Sequence, residues 1–142
     1  MTRRALVTGA EGFVGRHLRA RLSDAGVEVW SGVGIDDPTI QNRRLFDLCD
    51  AKSVDGLVEW AAPVYYVIHL AAITFVPHAA RSPERVMDVN LLGTIRLLDA
   101  VRRHAPAARV VFVGSSEAYG PPQSLPVAEQ HPLAPANPYA VS

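Results

Sequence analysis

The chain has 142 residues, 49% of them hydrophobic and 20% charged, a balance that fits one globular domain spanning 1–142 with its own core. Fourteen basic residues offset fourteen acidic ones, so no net positive field marks a nucleic-acid binder, and the single cysteine, Cys49, excludes an internal disulfide framework. No Cys/His group has the spacing of a zinc site, and the first apolar run is too short for a signal peptide or a membrane span, which points to a cytoplasmic protein without metal or membrane attachment.

Strand-like and helix-like segments alternate from the start, the pattern of an α/β protein with a parallel sheet. "RALVTG" is a short β-rich run ending at Gly9, and from Gly12 apolar residues recur at helical spacing at Phe13, Val14, Leu18 and Leu22. "VEVWSGV", Val27 to Val33, is a second strand after the helix-ending Gly26, and "RRLFDL" a short third. "SVDGLVEW" predicts a short helix with Leu57, Val58 and Trp60 available for burial, and "VYYVIHLAA" reads as a strand covered on both faces. Arg81 to His104 carries the longest helical pattern, with Val86, Val89, Leu92, Ile95, Leu98 and Val101 as its apolar positions. "ARVVFVGSS" is a fifth, continuously apolar strand. The proline-rich stretch after it reads as a loop, and a further helix is expected to begin at Pro138.

"VTGAEGFVGRHL" places Gly9, Gly12 and Gly15 three residues apart between the first strand and the helix it feeds. Glycine there lets the backbone turn sharply and approach a pyrophosphate, which meets the free N–H groups and the positive end of the helix dipole. The acid that such a site places near the end of the second strand, to bind the adenosine ribose, is absent from its usual place, where the sequence has Val33. Asp36 and Asp37 follow, then Arg43 and Arg44. An acid favours NAD and an arginine NADP, so both cofactors stay open. Asp47 and Leu48, after the third strand, lie where an adenine edge could be bound.

Taken together, "TGAEGFVG", "DL", "HLAA", "VNLLGT", "SSEAYG" and "NPYAVS" resemble, in order and on the matching elements, the extended short-chain dehydrogenase/reductases, the NAD-dependent epimerase/dehydratase family. Within that family the stretch from Ala71 to Arg102 is most similar to the GDP-mannose 4,6-dehydratase and GDP-4-keto-6-deoxy-mannose reductase group. The resemblance implies a Rossmann-type doubly wound parallel sheet, a bound NAD or NADP, a nucleotide-sugar substrate and a homodimeric complete enzyme. It adds Phe13, Val14, Leu70, Ala71, Ala72 and Tyr139 to the glycines as cofactor contacts, and Thr74, Ser115 and Ser116 as substrate contacts. The family's catalytic motif is Y-x-x-x-K, of which Tyr139 to Ser142 supply the first four positions. The resemblance therefore also implies an N-terminal part of a longer enzyme, its sheet ending after about five strands, with the fifth strand left as an open edge and no turnover by the 142 residues alone.

The resemblance also assigns the chemistry. A phenol titrating near pH 10 needs roughly 4 kcal/mol of anion stabilisation to act as a base near neutrality. With it, Tyr139 would exchange a proton with a sugar hydroxyl or ketone, and Ser115 would hydrogen-bond the same oxygen. Glu117 matches the carboxylate that takes the proton next to the ketone in the dehydratases and that epimerases generally lack. Asn90 matches a helix asparagine with a structural role beside the active site. Three functions remain in play: a 4,6-dehydratase or 4-keto reductase on a GDP- or dTDP-hexose, a nucleotide-sugar 4-epimerase, and a non-catalytic dinucleotide-binding module.

Overall fold

A computed structural model describes residues 3–142. Five strands form one parallel sheet: β1 (Arg4–Thr8), β2 (Glu28–Val33), β3 (Arg43–Leu45), β4 (Tyr66–His69) and β5 (Arg109–Phe112), in the order β3-β2-β1-β4-β5. Thr8 pairs with Gly32 on one side and His69 on the other, so the three central strands end level. The chain runs outward from β1 through β2 to β3, then returns to place β4 on β1's other side. That reversal opens a crevice at the carboxyl ends of β1 and β4, the place where doubly wound sheets bind ligands.

Neighbouring residues of β1 point to opposite faces, and both faces are covered. Leu6 packs in one cluster with Leu57, Val58, Val67 and Leu97, contributed by β4, by α2 (Ala51–Ala61) and by α5 (Gly93–His104). Val7 packs in the other with Ala10, Val33 and Ile40, closed by Leu18 and Leu22 of α1 (Phe13–Asp24). Leu6, Leu57 and Leu97 are wholly buried, each stabilising the fold by about 1.5–3 kcal/mol through area removed from water. Helix α2 starts where it does because Asp50 caps it, accepting the Lys52 N–H at 2.9 Å. Trp60 is only half-buried and meets the Trp30 ring edge to face at 4.4 Å, joining α2 to β2.

The expected helix from Arg81 to His104 is not one uniform α-helix, and a separate short helix precedes it. Short helices α3 (Val76–Arg81) and α4 (Pro83–Val86) are followed by a π-helical turn over Met87–Leu92 and then by α5. The apolar register differs accordingly: Val86, Val89 and Val101 are buried as expected, but Leu92, Ile95 and Leu98 are exposed, and the buried line runs through Asn90, Gly93, Leu97 and Ala100 instead. A strict three-residue repeat walks around a 3.6-residue helix, and the wider π turn shifts the phase again. Gly93 sits on this line because a Cβ there would come within 2.8 Å of the Leu48 Cβ.

Strand β5 is short, lies at the sheet edge as expected, and exposes all four of its residues, with Phe112 57% exposed. From Pro121 to Asn137 the chain is irregular, as its prolines predict, and α6 (Pro138–Val141) follows with Asn137 as its cap. No described helix is long and apolar enough to cross a membrane.

Candidate functional site

The three loop glycines are there for different reasons. Gly9 has a φ of +68°, and a Cβ on it would lie 2.8 Å from the Ala71 amide nitrogen. Gly15 is buried, and a Cβ there would strike the Gly9 carbonyl and come within 2.8 Å of the Ala10 backbone. Both positions are fixed by packing of the loop against itself and against β4's end. Gly12 has an ordinary φ of −68° and is exposed; a Cβ on it would meet only the Gly9 carbonyl oxygen, at 3.2 Å. Gly12 precedes α1 with no side-chain cap, so the first N–H groups of the helix are free to face a ligand.

The loop opens on a cavity of about 820 Å³, in the range of cofactor sites. Gly9, Gly12, Phe13, Val14 and Gly15 line one side, Asp47 and Leu48 another, and Leu70, Ala71, Ala72 and Thr74 the end of β4. Every cofactor residue expected from the sequence except Tyr139 therefore meets there, joined by Thr74, which was expected on the substrate. Phe13 is 81% exposed, an apolar ring presented at the cavity mouth. Leu48 also packs on Gly93, and Asp47 folds back to accept the Cys49 N–H at 2.9 Å. Asp36, Asp37, Arg43 and Arg44 do not line the cavity. Asp36 is bound by Arg43 at 2.6 Å, and Asp37 accepts the Thr39 hydroxyl and amide, which hold its carboxyl below the usual range. Glu11 and Gly34, singled out by nothing in the sequence reading, do line it. A charged residue inside a glycine loop was the available signal.

A smaller cavity of about 170 Å³ adjoins this one and shares Leu70, Ala71 and Ala72 with it. Ser115 and Tyr139 both line it, together with Asn90 and Thr94. The Ser115 oxygen accepts the Glu117 N–H at 3.2 Å, capping a 3₁₀ turn (Ser116–Tyr119) and leaving the hydroxyl proton free to donate. Ser116 and Glu117 face a third, outer cavity of about 680 Å³. There the Glu117 carboxylate accepts the Asn137 side-chain amide at 3.2 Å, which ties the turn to the start of α6.

Asn90 clamps the two sides of this region. Its amide oxygen accepts the Ile73 N–H at 2.8 Å, and its amide nitrogen donates to the Ile73 carbonyl and to Ser142 Oγ. Ser142 Oγ in turn donates to the Tyr139 carbonyl at 2.8 Å. The loop after β4 and the helix that carries Tyr139 are thus held by one side chain of the π turn. Behind Asn90, His69 is buried between Thr8 and Thr94, at 2.6 Å from the one and 3.1 Å from the other. Burial pushes its pKa down to about 4.

The geometry suits a dinucleotide: an exposed Gly12 backbone on the cavity wall, first helix N–H groups without a side-chain cap, and a buried carboxylate oxygen of Glu11 with no donor. Among the described residues, no three His, Cys, Asp or Glu side chains come together to hold a metal. The GDP-mannose 4,6 dehydratase family model matches residues 6–142. The GDP-6-deoxy-D-mannose reductase of Pseudomonas aeruginosa is 38% identical over 100% of this chain and 44% of its own length. The solved structure of RMD from Pseudomonas aeruginosa, complexed with NADPH, is 37% identical with a TM-score of 0.80, over 99% of this chain and 44% of that one. The UDP-glucose 4-epimerase of Brucella ovis, solved in complex with NAD, is 28% identical with a TM-score of 0.89, over 98% of this chain and 44% of that one. The chain spans less than half the length of these relatives. A family match from Leu6 to the last residue, on this sheet and this glycine loop, means that the chain belongs to the extended short-chain dehydrogenase/reductases, in the GDP-mannose 4,6 dehydratase family.

Proposed function

We propose that the chain supplies the dinucleotide site and the acid–base residues of a nucleotide-sugar oxidoreductase, a 4,6-dehydratase or 4-keto reductase acting on a GDP- or dTDP-hexose. A bound NAD or NADP would supply the hydride acceptor or donor. The Gly9, Gly12 and Gly15 loop and the start of α1 would hold its pyrophosphate, Asp47 and Leu48 its adenine end, and Leu70, Ala71 and Ala72 the wall leading to Tyr139. Tyr139 would exchange a proton with the oxygen on C4, and the free Ser115 proton would hydrogen-bond that same oxygen. Glu117, two residues further on in the turn that Ser115 caps, would take the proton beside the ketone when water is eliminated.

The observation that supports an enzyme over a plain binding module is the meeting of Ser115 and Tyr139 on a cavity that shares the wall residues Leu70, Ala71 and Ala72 with the glycine-loop cavity. A second reading, a 4-epimerase, is favoured by the likeness to the Brucella ovis enzyme. Glu117 separates the two. In a protein that joins this chain to a sugar-nucleotide-binding part, Glu117→Gln is expected to lower water elimination by about 10²-fold or more if the protein is a dehydratase. It is expected to spare ketone reduction if the protein is a reductase. Mass spectrometry of the products distinguishes a 4-keto-6-deoxy sugar, a reduced sugar and unchanged mass. A C4 epimer from the unmutated protein, with neither other product, would replace the first reading by the second.

A further inference from the structure

The strand end that in this fold carries the ribose-binding acid here carries Val33, wholly buried, followed by Gly34. A carboxylate reaches that corner from another part of the chain. Glu11, inside the glycine loop, extends to the end of β2, where its Oε1 accepts the Gly34 N–H at 2.7 Å. Its Oε2 is closed off from solvent and has no donor. Such an oxygen carries a desolvation cost that a hydrogen bond would remove. Glycine at position 34 keeps the corner open, since a Cβ there would lie 3.3 Å from Oε1.

Glu11 and Gly34 line the same cavity as Gly9 and Gly12. Around this corner Arg16 Nε donates to the Glu11 carbonyl at 2.8 Å, Arg19 Nε to the Ala10 carbonyl at 3.0 Å, and Arg43 Nε to Asp36, so none of the three Nε groups is spent on the Glu11 carboxylate. Among the described residues Glu11 makes no ion pair.

We infer that Glu11 is the ribose-binding carboxylate of this chain and that it selects NAD over NADP. The inference rests on the dinucleotide reading above. Glu11 lines the cavity but its Oε2 is enclosed, so the carboxylate must turn about its terminal torsion, which is broad, to present that oxygen to a ribose hydroxyl while the Gly34 N–H holds the other. The hydroxyl supplies the missing donor. A 2′-phosphate has no proton to give in that geometry and sets like charge against a partly dehydrated carboxylate.

The test is calorimetric titration of this chain and of Glu11→Gln with NAD and NADP, and with AMP and adenosine 2′,5′-bisphosphate, which present the ribose end alone. Glutamine keeps an acceptor for the Gly34 N–H and removes the charge. The unmutated chain is expected to bind NAD and AMP at least about ten-fold more tightly than their 2′-phosphorylated counterparts, a difference of about 1.4 kcal/mol. In Glu11→Gln the ratio is expected to fall towards one, chiefly through a gain by the phosphorylated ligands. Equal affinities or an NADP preference in the unmutated chain would overturn the inference, as would an unchanged ratio in a Glu11→Gln protein with a native melting profile. If the variant does not fold, the ratio in the unmutated chain decides. Failure of every ligand to bind would instead overturn the dinucleotide reading itself.

Discussion

Gly12→Val is expected to abolish dinucleotide binding, weakening it by at least about 10²-fold, or about 2.7 kcal/mol, while the chain stays folded. The reasoning turns on what each loop glycine is for. At Gly9 the positive φ and the Ala71 amide forbid a side chain, and at Gly15 the Ala10 backbone does, so changes there are expected to prevent folding whether or not a ligand exists. At Gly12 the backbone is in a region open to any residue, and the lone contact, with the Gly9 carbonyl at 3.2 Å, needs a shift of a few tenths of an ångström. Nothing in the folded chain requires glycine at this position; a phosphate brought against the loop does. Valine is a poor residue at a helix N-cap, so a loss of about 1 kcal/mol, or a few degrees in Tm, is expected from the backbone alone. Calorimetry with NAD and NADP, beside thermal unfolding of the same samples, checks both halves. Wild-type affinity in a folded Gly12→Val protein would show that the loop does not hold the pyrophosphate.

The elements that sequence reading located correctly are those whose signals are local. A glycine triplet between a β-rich run and an amphipathic run places a loop and a helix start within a dozen residues, and a proline-rich stretch breaks structure wherever it lies. Helix faces were harder. Leu92, Ile95 and Leu98 keep an apolar spacing yet face solvent, because the π turn at Met87–Leu92 resets which face of α5 meets the sheet, and no local sequence rule announces a π turn. The turn has a role that emerges only in three dimensions: it carries Asn90, whose partners Ile73 and Ser142 lie 17 and 52 residues away. Glu11 was missed for a similar reason. The fold places a ribose acid at the end of β2, whereas the carboxylate that reaches that corner comes from a loop 23 residues before Gly34. In each case the residue type was visible and its partner was not.

His69 is expected to make the protein less stable as the pH falls from neutrality. Thr94 gives its hydroxyl proton to the Asn90 carbonyl, so its oxygen can only accept from His69 Nε2–H. On the other side the Thr8 oxygen receives the Leu70 and Ala71 N–H groups, so its proton goes to His69 Nδ1. The ring is therefore neutral in one tautomer, with both nitrogens used. A second ring proton would face the Thr8 hydroxyl, whose oxygen already has two donors, in a site 3% exposed. In the unfolded chain the ring takes its proton below about 6.5, but in the folded chain only near 4. Between those values the unfolded state binds the extra proton, so stability present above pH 6.5 is lost progressively down to about pH 4 and no further below it. That gap is worth up to about 3 kcal/mol. Urea unfolding from pH 8 to pH 4, with His69→Gln as the reference, isolates this contribution, since the remaining histidines and carboxylates titrate alike in both proteins. Two curves that run parallel across this range would show that the ring titrates normally in place. If they converge as the pH falls, the network from Thr8 to Asn90 is the part that acid opens, and the clamp on Ile73 and on the helix of Tyr139 should loosen before the sheet does. The protection of the Ile73 and Ser142 amides, taken relative to the intrinsic exchange rate at pH 7 and at pH 5, should then fall ahead of that of Leu6 and Val7.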